Sequence, residues 1–239
     1  MKALLLAAGF GTRLGDLTKE TPKPLIKVGN EPILAFCLNQ LWKSGVTEVI
    51  INTHHLAQEI EKFIKDFNTP IKVLLSHEDK LLGTAGTLRQ HIDFLCDDDF
   101  LVMHSDNYFS DSLSNFVKDH KSRKVGNFGT LGTFKTQHPE SCGVLVLNHD
   151  KTIREFHEKV SNPPTNLANA AIYLFTPKVR EPLLQLAEEE NDISRHLISK
   201  LMKNLYTHNF EGLFVDIGTP EGLKLADSYK SEFSRSNTD

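Results

Sequence analysis

A chain of 239 residues, 39% hydrophobic and 24% charged, is long enough to bury one substantial core and has the composition of an ordinary globular protein. Its formal net charge of −4 and pI near 6.3 exclude the basic footprint of a nucleic-acid or anionic-membrane binder, so any anion must be held by locally placed cations. No apolar run approaches the roughly 20 residues of a membrane span, and Met1-Lys2-Ala3-Leu4 enters a strand without a cleavable signal pattern, which predicts a cytoplasmic protein.

In chain order, strand-like runs at Lys2–Ala8, Glu48–Asn52, Ile71–Leu75 and Phe100–His104 alternate with helix-like stretches at Pro32–Ser44, Ala57–Phe67 and Thr84–Phe94. This βαβ rhythm predicts an α/β fold with a mixed, mainly parallel sheet flanked by helices in a single domain over residues 1–230. Val49-Ile50-Ile51 and Leu101-Val102-Met103 read as strands buried on both faces, and ligands of such sheets gather at the carboxyl ends of the strands. That edge holds Gly9–Arg13, Thr53-His54-His55 and Ser105-Asp106-Asn107. Beyond about residue 110 the alternation loosens. Strands are expected at Phe128–Thr133, Gly143–Leu147 and Ala170–Phe175, then a helix over Asn191–Leu205, a strand at Leu213–Asp216, a helix from Pro220 and a flexible polar tail over 231–239. Cys37, Cys96 and Cys142 are too few and too scattered for a disulfide framework or structural zinc, and predict reduced thiols.

Leu4-Leu5-Leu6-Ala7-Ala8-Gly9-Phe10-Gly11-Thr12-Arg13-Leu14 joins an apolar strand to a glycine-rich cationic loop. Gly9 and Gly11 permit positive φ and close approach of backbone N–H groups to an anion, and Arg13 offers a two-pronged grip on phosphate oxygens. Lys23, between Pro22 and Pro24, adds a point charge on a stiffened segment. A dinucleotide fingerprint would need a third glycine where Leu14 stands, and a P-loop would need Gly-Lys-Ser/Thr, which is missing.

This pattern, with Thr21-Pro22-Lys23-Pro24-Leu25 downstream, resembles the N-terminal signature of the sugar-1-phosphate nucleotidyltransferases, and the resemblance continues through separated motifs to about Leu223. It implies a Rossmann-like, GT-A-like fold with a nucleotide-binding half over about 1–110 and a sugar-phosphate-binding half over about 111–230. The implied reaction is attack of a sugar 1-phosphate oxygen on the α-phosphorus of a nucleoside triphosphate, with release of pyrophosphate. Two anions must meet, so a divalent cation, Mg²⁺, and positive side chains should supply most of the catalysis, with no nucleophilic side chain.

By the same resemblance, Arg13, Lys23, Asp106 and Lys159 are the catalytic residues, and Asp106 and Asp216 are the metal ligands, each closing an apolar strand. One such Asp is as often a turn or cap residue, but two together favour a metal. The nucleotide-binding set is Leu6, Ala8, Gly9, Gly11, Thr12, Arg13, Lys23, Glu78, Gly83, Thr84, Gly86 and Ser105. Ser105 stands where relatives more often carry glycine. The sugar-phosphate set is Asn107, Gly143, Glu158, Lys159, Asn169 and Tyr173; Gly143 would let backbone approach the sugar, and Ala171 stands where relatives often carry glycine or serine. Leu82-Gly83-Thr84-Ala85-Gly86, preceded by Glu78, looks like the guanylyltransferases, with Glu78 facing donors on a base. The implied substrates are GTP and a manno-configured sugar 1-phosphate, either mannose 1-phosphate or D-glycero-D-manno-heptose 1-phosphate, used by a monomer or homodimer that engages neither nucleic acid nor membrane. The chain resembles short bacterial enzymes without a β-helical extension. The alternatives are a uridylyltransferase for an amino-sugar or N-acetylmuramate 1-phosphate and a silent nucleotide-sugar-sensing subunit. His54-His55, Asp97-Asp98-Asp99 and Glu188-Glu189-Glu190 read as polar loop and helix-end residues without a catalytic role.

Overall fold

The computed structural model describes residues 1–123 and 126–236. They form β1 (Lys2–Leu6), β2 (Lys27–Val28), β3 (Glu31–Pro32), α1 (Ile33–Lys43), β4 (Glu48–Thr53), α2 (Ala57–Asp66), β5 (Lys72–His77), α3 (Thr84–Leu95), β6 (Phe100–His104) and β7 (Asn107–Phe109). There follow α4 (Leu113–Lys121), β8 (Gly129–Lys135), β9 (Gly143–Leu147), β10 (Ile153–Glu158), β11 (Leu167–Phe175), α5 (Arg180–Leu184), α6 (Ile198–Leu201), β12 (Leu205–Asn209), β13 (Phe214–Asp216) and α7 (Pro220–Ser236). This is the expected α/β class, a mixed sheet with helices. The contacts divide the chain into two compact units.

One unit comprises Leu5–Leu81, His104–Ser110 and the chain from Gly212 onward. Here β4 and β5 run parallel in register from Glu48↔Lys72 to Thr53↔His77, and Val49 to Ile51 are buried as two-faced strand residues should be. Helix α1 buries Ile33, Leu34, Cys37, Leu38 and Leu41 at helical spacing. Strand β1 stops at Leu6, two residues short of the expected end, because the N–H of Ala7 is taken by the side chain of Asn52 (2.7 Å). Strands β7 and β13 pair antiparallel with Asp216 opposite Asn107, and Phe109 stacks on Phe214 with ring centres 5.7 Å apart. Helix α7 runs to Ser236, into the segment expected as tail, and residues 237–239 of that segment lie outside the described residues.

The other unit comprises Met1–Leu4, Leu82–Met103 and Asp111–Glu211. Residues Phe100 to Met103 of β6 are fully buried and pair antiparallel with Phe175 to Ile172 of β11. Strand β11 also pairs with β8, and that register shifts between Asn169 and Tyr173, a bulge centred on Ala171 at φ +52°. Strands β9 and β10 form a hairpin in which Gly143 faces Glu158. The long helix expected over Asn191–Leu205 breaks into a π-helical turn Ile193–Leu197, α6 and a 3₁₀ turn, and Leu205 opens β12. The reason is periodicity. Leu205 and Thr207 alternate inward as strand residues and run parallel to β8, a pairing that local helix propensity does not reveal. Strand β10 and helix α4 add to the expected elements; α4 carries its own local signals, Ser112 as N-cap and Leu113, Phe116, Val117 and His120 buried at helical spacing.

Candidate active site

The glycine-rich loop starts from buried ground. Leu6 accepts the N–H of Ser105 (3.0 Å), and Ala8 is buried, whereas Gly9, Thr12 and Arg13 are exposed. Gly11 adopts φ +68°, and a Cβ there would lie 2.8 Å from Thr18 Cγ2 and 3.2 Å from Lys23 Cβ. Only glycine satisfies both the left-handed backbone and that close approach. Its carbonyl accepts from Leu14 N–H and the Thr18 hydroxyl, so the loop is pinned beside Lys23.

Lys23 is the centre of an ionic cluster. Its side chain is 10% exposed, and its ammonium pairs with Asp106 Oδ2 and lies 3.4 Å from Asp216 Oδ1. Arg13 Nη2 reaches Asp216 Oδ2 at 2.9 Å, and the N–H of Gly218 donates to Asp216 Oδ1 at 2.7 Å. Burial pushes the Asp106 carboxyl up, but the Lys23 ammonium and His104 outweigh it and hold the group below the usual carboxylate range. The pairing of β7 with β13 sets Asp216 beside Asn107, and Ile217 N–H bonds to the Asp106 carbonyl (2.9 Å). Two carboxylates on one ammonium are a donor set that suits a hard divalent cation sharing phosphate oxygens and water. Gly218 was not singled out from the sequence, yet a Cβ there would lie 2.7 Å from Asp216 Oδ1 and 2.9 Å from Arg13 Nη2.

Glu78 is placed differently from the expectation of an open, base-facing carboxylate. It is 4% exposed and accepts a hydrogen bond from Asn52 Nδ2 at 2.8 Å, while Asn52 Oδ1 accepts from Ala7 N–H. Asn52 is a residue the motif reading missed; its signal was a polar residue near the end of the apolar run Val49-Ile50-Ile51. His54 Nδ1 donates to the Glu78 carbonyl (2.7 Å) and His55 Nε2 to the Thr18 carbonyl (3.3 Å). Both act as loop anchors.

The remaining candidates lie in the other unit. Gly83 at φ +75° precedes α3, where a Cβ would come within 2.5 Å of the Asn191 carbonyl. Ala85 N–H donates to that carbonyl (2.8 Å), and the Thr84 hydroxyl accepts from Ile193 N–H (2.8 Å). Gly86 keeps the same turn tight, its would-be Cβ 3.1 Å from Leu82 Cβ. The nucleotide-binding candidates therefore divide between the two units. At Gly143 the missing side chain leaves room for neighbours on the chain itself, since a Cβ would meet Glu158 Oε2 at 2.5 Å and Phe156 Cζ at 2.6 Å. Glu158 is half-buried; burial, with Asp192 nearby, raises its carboxyl above the ordinary range against the pull of Lys159 and Arg195. Lys159 is 57% exposed, stands 4.0 Å from Glu158 Oε1 and has φ +50°. Tyr173 is wholly buried and its hydroxyl, pushed up to about 12 by burial, accepts from Asn169 Nδ2 (2.9 Å). Asn169 Nδ2 also donates to Ser194 Oγ (2.9 Å), and its Oδ1 accepts from Ala171 N–H (2.9 Å). Tyr173 thus orients Asn169 from beneath, and Ser194 and Asp192 join a set that the linear motif did not reveal.

Of the acidic runs, Asp99 is more than a solvated turn: it accepts from His120 Nε2 and Arg123 Nη2, both at 2.9 Å. Glu190 pairs with Lys200 (2.9 Å). The three cysteines are free, and burial pushes the Cys37 thiol up. No helix among the described residues is long and apolar enough to cross a membrane.

The sequence pattern of one protein family, described as nucleotidyl transferase, matches residues 2–230. The chain belongs to the nucleotidyl transferase family. Among curated nucleotidyl transferases it is 32% identical over 226 residues to the mannose-1-phosphate guanylyltransferase catalytic subunit beta of Drosophila pseudoobscura pseudoobscura, covering 92% of this chain and 60% of that one. It is 33% identical over 232 residues to a mannose-1-phosphate guanyltransferase of Neurospora crassa, covering 92% and 62%. The chain thus spans about three fifths of the length of these curated relatives. Among solved structures, a Bacillus anthracis protein described as a glucose-1-phosphate thymidylyltransferase, in complex with sucrose, superposes with a TM-score of 0.86 at 27% identity over 96% of this chain and 94% of that one. Nucleotidyl transferases of this kind generally use a divalent metal, which the Asp106 and Asp216 pair is suited to hold.

Proposed function

We propose that this chain is a Mg²⁺-dependent guanylyltransferase that joins GTP to a manno-configured sugar 1-phosphate, either mannose 1-phosphate or D-glycero-D-manno-heptose 1-phosphate. One observation carries the reading: Arg13, Lys23, Asp106 and Asp216 form a single cluster of two cations and two carboxylates at the mouth of the glycine-rich loop. The names of the relatives at 32% and 33% identity support the choice of guanine and of a manno sugar. A phosphate oxygen of the sugar 1-phosphate attacks the α-phosphorus of GTP. The bond from that phosphorus to the bridging oxygen breaks, and pyrophosphate leaves with the electron pair. When bound, Mg²⁺ supplies charge neutralisation on phosphate oxygens, with Asp106 and Asp216 as its protein ligands.

Arg13 and Lys23 exchange their carboxylate partners for phosphate oxygens, so the repulsion between two anionic substrates is met by fixed positive charge. Gly9, Gly11 and Thr12 offer backbone N–H groups to the same anion. Lys159 takes the sugar phosphate, Glu158 and Asn169 take sugar hydroxyls, and Tyr173 holds Asn169 in place. A cytoplasmic location follows from this use of cellular nucleotide. The test is pyrophosphate release by the purified protein with Mg²⁺, offering GTP, UTP, CTP, ATP and dTTP against a panel of sugar 1-phosphates. Release with GTP and one manno sugar is expected. Release with UTP and an amino sugar would overturn the base assignment, and silence with ligand binding retained would favour a sensing subunit.

A further inference from the structure

Three strand ends of the glycine-loop unit are laced together by one buried side chain. Ala7, immediately beyond β1, Asn52, one residue before the end of β4, and Glu78, immediately beyond β5, are 6%, 4% and 4% exposed. The carboxamide of Asn52 fits between the other two in one orientation only. Ala7 presents a backbone donor and so needs the amide oxygen; Glu78 presents a carboxylate and so needs the amide NH₂. Glu78 is itself anchored, its N–H donating to the Thr53 carbonyl (2.8 Å) and its own carbonyl accepting from His54 Nδ1.

We propose that Asn52 is a positioning residue for the nucleoside triphosphate: its carboxamide carries the Glu78 carboxylate to the N–H of Ala7 and so sets the point and direction at which the glycine-rich loop leaves β1. The proposal rests on the reading of that loop as the triphosphate site. A buried backbone N–H must be satisfied, and at the last ladder position before a loop either another strand or a side chain can do it. Another strand would prolong β1. A side chain ends it at a defined residue, and the charge on Glu78 polarises the amide and strengthens the bond to Ala7. Two residues later the chain reaches Gly9, and Gly11 and Arg13 follow in the segment pinned against Lys23. A shift at Ala7 therefore moves the groups that would grip phosphate.

The test exploits the chemistry of the relay. Asn52→Asp sets two carboxylates against each other. The double variant Asn52→Asp with Glu78→Gln restores both hydrogen bonds with the charge moved to position 52, since Asp accepts from Ala7 N–H and from the Gln amide. Amide hydrogen exchange of the ligand-free proteins is read over residues 7–13 and, as a control, over β9 and β10. The affinity for GTP with Mg²⁺ is read by calorimetry. The single variant is expected to speed exchange over residues 7–13 but not over the control, and to weaken GTP about tenfold, the worth of one charge-assisted hydrogen bond. The double variant should recover both. Unchanged exchange over 7–13 in the single variant, or a double variant with wild-type melting that recovers neither readout, overturns the proposal. If the wild type itself fails to bind GTP, the guanylyl reading falls, while the exchange comparison still decides the role of Asn52.

Discussion

The two units hold their candidate residues in different ways. In the glycine-loop unit the candidate groups are full charges that already have partners: Arg13 and Lys23 hold Asp216 and Asp106. In the other unit a looser pair, Glu158 and Lys159 at 4.0 Å, stands beside candidates set by backbone shape and neutral hydrogen bonds, with Ala171 and Lys159 at positive φ and Asn169 fixed by Tyr173 and Ser194. The difference teaches what each site has to overcome. On the proposed function a polyanion and a metal would displace the existing ion pairs, so binding there would be an exchange of partners, sensitive to every charge in the set. On the same proposal a sugar phosphate would meet one exposed ammonium, Lys159, and groups already oriented by the backbone, which lowers the entropic cost of binding.

The most severe test of that contrast is Asp106→Asn, which keeps the size of the side chain and removes one charge. Turnover should fall about a thousandfold, several kcal/mol of lost transition-state stabilisation, with the melting temperature near that of the wild type. A turnover within a few-fold of wild type would remove Asp106 from the metal site.

Acid should strike the other unit through His120. Burial, aided by Arg123 and opposed by Asp99, lowers the imidazole from 6.5 to about 4. The unfolded chain takes up this proton first, so stability is full above pH 6.5 and declines as pH falls toward 4. The decline should amount to about 3 kcal/mol. Urea unfolding at pH 7.5 and 4.5 measures it, and His120→Gln should flatten the difference; an equally steep loss in that variant would assign it to other groups.

Lys159→Ala separates the two ligands. The KM for the sugar 1-phosphate should rise about tenfold with little change in that for the nucleotide. Equal effects on both would remove Lys159 from the acceptor side. The smallest effect belongs to Ala171→Gly. Releasing a β-carbon from φ +52° offsets the added freedom of the unfolded chain, and the variant should be more stable by about 0.5–1 kcal/mol. A destabilised variant in chemical denaturation would mean that the Ala171 methyl group contributes packing that outweighs the strain.

Ala171 also illustrates how far a motif carries. Its departure from glycine was visible in the sequence; the left-handed backbone that gives the departure meaning came from the bulge between Asn169 and Tyr173, formed by pairing with β8. Gly143 was read as letting backbone approach a sugar; the neighbours its missing side chain accommodates, Glu158 and Phe156, come from the β9–β10 register. Glu78 was expected to face a base; the structure buries it against Asn52, 26 positions away, which stands beside it because β4 and β5 run parallel.

The sequence by itself determined the α/β class, the early strands and helices, the glycine-rich loop and the charged residues of the ionic cluster, because each is written in local periodicity or in a contiguous motif. Tertiary structure alone decided that Asp216 meets Lys23 and Arg13, that Asn52 ends β1, and that residues 205–209 form a strand rather than the end of a helix. Those outcomes depend on strand register and on burial of polar groups among distant partners, and neither quantity is encoded in any short window of the chain.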